Sequence, residues 1–391
     1  MKVDFDSTLD HRRNGSRRWK QPEGRTDIIG MGTADMDYTC TPIIKERMAK
    51  ILEDNTYNYR HTPDAYYESV LGFFKRSYNL DASKEWLTDV PGTLASIRML
   101  LDCFTEKNDN VILQSPYFSP LKLIIERTGC KFISNPMILK GERYEVDFED
   151  FEMKIKKYKP AVFLLVNPQN PVGRVFSKEE LERFVDICYE NDVLIISDEV
   201  HFLITFDGVK HIPILALNDK AKEISIQVFS MSKGFNMMSL PHAMQFIAND
   251  ALMRKWYDYY YAFEFFYGSN LFSIAAVTGA TSPEAQVWLN EATLYIKENI
   301  DIFMNYIKER NIPLKPIKPE ASYIIWVDCR ESGIDAEKLS KVFLEDAGIS
   351  LNNGLDHGED GRGFVRINLA VTRTVLMEAL TRIESLFVKL T

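Results

Sequence analysis

The stretch AVFLLVNPQNPVG (residues 161–173), followed by SKEELERFVDIC (177–188) and VLIISDEVH (193–201), decides the fold. Ala161 to Val166 is a continuous apolar run, the pattern of a strand buried on both faces. Ser177 and Glu180 form a capping-box pair, and Leu181, Phe184, Val185 and Cys188 then recur on one helical face. Val193 to Ile196 is a second apolar run. Strand, helix and strand at this spacing predict a βαβ unit with a right-handed crossover, so the chain is α/β with a mostly parallel sheet. Asn170 and Asp198 therefore lie just past the carboxyl ends of two strands, the edge at which open α/β sheets bind ligands.

Downstream, a β-type run from Ile224 to Phe229 leads into SMSKGFN (230–236). A lysine amine that is held in place and partly deprotonated forms a Schiff base with an aldehyde, which singles out Lys233. The hydroxyls of Ser230 and Ser232 suit a phosphate. Upstream, Gly92-Thr93-Leu94 opens a helix whose apolar face carries Leu94, Ile97, Leu101 and Phe104. The free N–H groups and positive dipole of such a helix start also suit phosphate.

Together with ADMDY (34–38) and GRGFVRIN (361–368), these stretches resemble the fold-type I pyridoxal-phosphate (PLP) enzymes of the aspartate aminotransferase superfamily, and within it the cystathionine β-lyase (C–S lyase) branch. The resemblance covers nearly the whole chain. It implies a large domain with a mixed, mostly parallel sheet and a smaller α+β domain. The division it suggests is 1–45 for an N-terminal arm and part of the small domain, 46–284 for the PLP-binding domain and 285–391 for the small domain.

The resemblance also implies roles. Lys233 carries the cofactor and later takes the substrate's α-proton. Asp198 keeps the pyridine nitrogen protonated, by opposite-charge stabilisation. Tyr117 stacks on the ring, Asn170 bonds its phenolic oxygen, and His201 braces Asp198. Gly92, Thr93, Leu94, Ser230, Ser232 and the partner subunit's Tyr59 hold the phosphate in a homodimer with shared sites. Arg366 forks the substrate α-carboxylate, a geometry lysine cannot match, with Asn170 and Asp35 beside it. One departure stands out. Many aminotransferases have an arginine eight residues after the lysine; here that position is Pro241, followed by His242.

The expected reaction is α,β-elimination of L-cystathionine or a cysteine S-conjugate to thiol, pyruvate and ammonia. An aminotransferase needs the same lysine, aspartate and arginine, so those residues do not separate the two. A ligand-sensing protein on the same fold is the third reading.

Composition limits the alternatives. The chain has 391 residues, 46% apolar and 26% charged, with a formal net charge of -9. That balance fits a globular enzyme of two or three domains and argues against a nucleic-acid partner. Cys40, Cys103, Cys130, Cys188 and Cys329 are scattered, without a CxxC, so neither a disulfide frame nor a metal site is expected. No signal peptide and no apolar run of ~18 residues is visible, so a cytoplasmic location is expected. The arm bearing Arg12, Arg13, Arg17 and Arg18 reads as a solvated charge run or as a strap across a dimer partner. Gly30 and Gly32 bracket a flexible turn beside Asp35 and Asp37. The aromatics Tyr257, Tyr259, Tyr260, Tyr261, Phe263, Phe265, Phe266 and Tyr267 read as core or as a dimer interface.

Overall fold

The structure is a computed structural model that describes residues 4–7, 9–11, 15–59, 61–263 and 270–390. Its centre is a seven-stranded sheet. The strands run in the order Leu87–Val90, Ala243–Ile247, Ser225–Phe229, Leu194–Asp198, Val162–Val166, Asn110–Ser115 and Lys131–Pro136. Ala243–Ile247 is antiparallel to both neighbours, and the other pairings are parallel. Every residue of Val162–Val166, a continuous apolar run, is buried, as is every residue of Ser225–Phe229, the polar Ser225 and Gln227 included.

The helix Lys178–Glu190 begins at the capping box read from the sequence. The Ser177 hydroxyl accepts from the Glu180 N–H at 3.2 Å, and the Glu180 carboxylate accepts from the Ser177 N–H at 2.8 Å. Register then aligns the strand ends, with Val166 opposite Asp198 and Asp198 opposite Val228. The segments after these strands, which carry Asn170 and Ser230, consequently emerge at one edge.

A second, antiparallel sheet orders Lys315–Ile317, Ile324–Asp328, Phe364–Asn368 and Asn352–Asn353. The 27-residue helix Pro283–Glu309 leads to it and buries Trp288, Ile296, Ile300 and Phe303. Ile29–Gly30 pairs with Ile349–Ser350, which ties the N-terminal arm to this unit. Gly30 is thus part of a strand and not of a flexible turn. A Cβ there would lie 2.1 Å from the Arg18 carbonyl oxygen, so close packing is what needs the glycine.

The arm is not uniformly solvated either. Arg18 is buried and ion-paired with Asp35 at 2.7 Å and with Asp37. Arg12 and Arg13 lie outside the described residues, as do Phe265, Phe266 and Tyr267. Tyr257, Tyr261 and Phe263 are exposed, so these aromatics are not core. Among the described residues, no helix is long and apolar enough to cross a membrane.

Candidate active site

At the carboxyl edge of the large sheet a cavity of about 590 Å³ opens. Its walls include Lys233, Asp198, Asn170, His201, Gly92, Thr93, Leu94, Ser230, Ser232, Arg366 and Phe118. Residues spread over 275 positions of sequence are therefore brought into one space.

Lys233 sits on the short helix Ser232–Phe235 that follows Ser225–Phe229. Its Nζ donates to the Ala34 carbonyl at 2.5 Å. Burial, and then the Arg366 charge, lower its pKa to about 8, against the opposing pull of Asp35 and Asp198. An appreciable fraction of the amine is then neutral and nucleophilic near neutral pH. Asn236 ends this helix in the left-handed conformation, at φ 56°. Its amide spans the 34–38 segment, donating to Met36 O at 3.0 Å and Tyr38 O at 2.7 Å and accepting from Met36 N–H at 3.1 Å. The carbonyl that holds Lys233 is thereby fixed to the lysine's own helix. Sequence reasoning missed Asn236; its signal was an asparagine closing a four-residue turn, a residue type that tolerates this backbone.

Asp198 is buried at its strand end and accepts from the Val200 N–H at 3.2 Å. Burial raises its pKa to about 6, with the Val200 hydrogen bond and Lys233 acting in the opposite direction. A cationic ring nitrogen in the cavity would pull it back toward the ordinary carboxylate range. His201 does not brace this carboxylate. Its Nδ1 meets the Ser322 hydroxyl at 3.1 Å, and burial lowers its pKa to about 3, which keeps the ring neutral.

Arg366 is buried on Phe364–Asn368. Its Nη1 donates to Asn170 Oδ1 at 3.2 Å, and its Nη2 to Asn352 Oδ1 at 2.9 Å and Gly32 O at 3.1 Å. Its Nε is buried without a partner, an unmet donor beside the cavity. Asn368, two residues on, donates to Thr33 O and Asp35 O, both at 2.7 Å.

Two further expected contacts are corrected. Tyr117 does not line the cavity; its ring packs edge-on against Phe132 at 5.1 Å and under Gly358. The adjacent Phe118 lines it instead, with the Arg366 guanidinium 5.9 Å from its ring. Two adjacent aromatics leave the chain on different sides, and the sequence alone does not say which one faces in. The Asp35 carboxylate is not part of the cavity wall but pairs with Arg18. Tyr59, expected at the partner's site and not at its own, is 80% exposed.

Pro241, at the position where many aminotransferases have an arginine, and His242 line the wall. His242 is buried. Its Nε2 lies 2.9 Å from the Tyr66 hydroxyl and 3.3 Å from Asp89 Oδ1, and its Nδ1 has no partner.

A neutralisable lysine, a buried carboxylate, serines with a helix start and an arginine with an open donor fit the four chemical ends of an amino acid joined to a pyridine-aldehyde phosphate. Fold and site together define a fold-type I PLP enzyme. The chain belongs to the aminotransferase class I and II family, whose model matches residues 26–383. Within that family its relatives include C–S lyases and, at 25% identity, aminotransferases. It is 30% identical to cystathionine β-lyase PatB of Bacillus subtilis over 98% of this chain and 99% of that protein. Cystalysin from Treponema denticola, solved with pyridoxal 5'-phosphate, superposes with a TM-score of 0.95 at 25% identity, over all of both chains. The PLP-bound C–S lyase of Staphylococcus hominis superposes at 0.91 and 28% identity, covering 99% of each chain.

Proposed function

We propose that this protein is a PLP-dependent C–S β-lyase of the cystathionine β-lyase type. The reaction is R–S–CH2–CH(NH3+)–COO− plus water giving R–SH, pyruvate and ammonium. The observation that carries this reading is the shared cavity. Lys233, Asp198 and Arg366 line one space, which both activities need, and the likeness over the whole chain to cystathionine β-lyase PatB and to the Staphylococcus hominis C–S lyase favours the lyase.

Lys233 would hold the cofactor, with Asp198 at its ring nitrogen and Phe118 against its face. The first-turn N–H groups of Thr93–Phe104, Ser230, Ser232 and His242 would take the phosphate. When bound, PLP supplies an aldehyde for covalent attachment of amines and a ring that accepts electron density. Arg366, pre-set by Asn170 and Asn352, orients the substrate carboxylate and so fixes which Cα bond faces the site. Lys233 Nζ, neutral once the substrate amine has replaced it, takes the Cα proton. A pKa already lowered to about 8 makes that transfer accessible near neutral pH. Departure of the thiolate from Cβ then completes the elimination.

We further read the protein as a cytoplasmic homodimer acting on an amino acid. The exposed Tyr59 and the exposed aromatics of Asp250–Tyr261 support an interface that lends Tyr59 to the partner's phosphate site. The holoenzyme is expected to release pyruvate and thiol from L-cystathionine with no added 2-oxo acid. Strict dependence on an oxo-acid acceptor would overturn the lyase reading in favour of transamination.

A further inference from the structure

The brace that His201 does not give Asp198 stands next to it in the chain. Asp198 ends its strand and Glu199 follows, and successive side chains of extended backbone leave on opposite faces. Asp198 lines the cavity; Glu199 does not, and is fully buried. A carboxylate so placed needs donors, and Glu199 has them on both oxygens. Its Oε1 accepts from the Ser197 hydroxyl at 3.0 Å and from the Ile214 N–H at 2.9 Å. Its Oε2 lies 2.8 Å from His211 Nε2. His211 is buried in turn, edge-on to the rings of Tyr78 and Phe202, each at 6.0 Å.

These bonds act on Asp198 in two ways. The first is position. Glu199 ties itself to residues 211 and 214, which closes the intervening loop on the strand end. Val200 and His201 in that loop line the cavity, and the Val200 N–H is the donor that Asp198 holds at 3.2 Å. The backbone is pinned on both sides. The Asn167 N–H donates to the Asp198 carbonyl at 3.0 Å, and the Glu199 N–H donates to the Val228 carbonyl at 2.8 Å. The second is charge. Burial is the first cause of the raised Asp198 pKa, and the Glu199 charge adds to it, while the Val200 hydrogen bond and Lys233 oppose it. Tyr78 feels the same charge, after burial. A second negative charge behind Asp198 favours a cation in front of it.

We propose that Glu199, held by His211, is the positioning residue for Asp198, and that its charge helps to keep the cofactor's ring nitrogen cationic. The inference rests on the reading that Asp198 meets that nitrogen. It gives His211 and Ser197 a part in the chemistry although neither lines the active-site cavity. A pair that only packed the loop would serve every ligand of the site alike. A charge behind Asp198 serves only a ligand that carries the nitrogen.

The test is a fluorescence titration of the full-length apoprotein with pyridoxal 5'-phosphate and with its carbocyclic analogue, in which a C–H replaces the ring nitrogen. The readout is the ratio of the two Kd values, which a general loosening of the site leaves unchanged. Glu199→Gln keeps the shape and removes the charge, and is expected to cut the preference for pyridoxal 5'-phosphate roughly fivefold. His211→Leu leaves the buried carboxylate short of a donor. Such a group responds by taking up a proton, so the ratio is expected to move the same way. This second variant decides the matter where Glu199→Gln does not fold. A ratio within about twofold of the unsubstituted protein's, even with both affinities lowered, makes Glu199 a packing residue and overturns the inference. Asp198→Asn is expected to abolish the preference. If the preference survives that change, the ring-nitrogen reading of Asp198 fails, and this inference with it.

Discussion

Asn236 and Met36, two hundred residues apart, exchange a pair of hydrogen bonds at 3.0 and 3.1 Å. The Asn236 amide thereby closes the Lys233 helix onto the segment whose Ala34 carbonyl holds the lysine. Asn236→Ala removes three such bonds and puts alanine into a left-handed conformation. A stability loss of about 3 kcal/mol is expected in a urea titration. A loss below about 0.5 kcal/mol would mean the staple is dispensable.

Lys233 reactivity has a pH signature. The protonated amine is inert, and its pKa is lowered from 10.5 to about 8, first by burial and then by Arg366. Attachment of added pyridoxal 5'-phosphate to the apoprotein, followed by absorbance, should accelerate as pH rises with a midpoint near 8. Arg366→Leu removes the depressing charge and is expected to move that midpoint upward. Lys233→Ala should abolish both the absorbance of attached cofactor and pyruvate release.

Phe118 and Tyr117 should behave oppositely. Phe118→Ala removes the aromatic on the cavity wall and is expected to weaken pyridoxal phosphate binding about tenfold, a typical loss for one stacked ring. Tyr117→Phe keeps the ring packed on Phe132 and should change binding less than about twofold. Fluorescence titration of the apoprotein distinguishes the two, and a larger effect at Tyr117 would return the stacking role to it.

His242 follows Pro241, which stands where many aminotransferases have an arginine. Its Nε2 is held by Tyr66 and Asp89, and its buried Nδ1 is left without a partner in the wall that also carries Ser230 and Ser232. His242→Ala is expected to weaken pyridoxal 5'-phosphate about tenfold and pyridoxal, which lacks the phosphate, hardly at all. Equal weakening of both aldehydes would reduce His242 to a packing residue.

Shared sites predict complementation. Lys233→Ala and Tyr59→Ala subunits, each of low activity alone, should recover about a quarter of the normal activity when mixed and re-equilibrated, since half the dimers are mixed and each holds one intact site. No recovery on subunit exchange would rule out a Tyr59 contribution across the interface.

The elements of the site were legible because each rests on local chemistry. Two apolar runs around a capping box place Asp198 at a strand end, and a lysine between small polar residues marks position 233. Arg366 was legible through the resemblance of GRGFVRIN to the family's segment, and a guanidinium suits a carboxylate fork. What the sequence left open was direction. Nothing local distinguishes Phe118 from Tyr117, because both are flat, apolar-bodied side chains in one turn. Nothing local reveals that Arg18 is buried and Arg17 is not, because long-range pairing with Asp35 and Asp37 makes the difference. The backbone pattern and the chemical inventory belong to the sequence, being set by propensity and periodicity over a few residues. Which side of each segment faces the cavity is settled only when distant segments pack and every buried charge must find its partner.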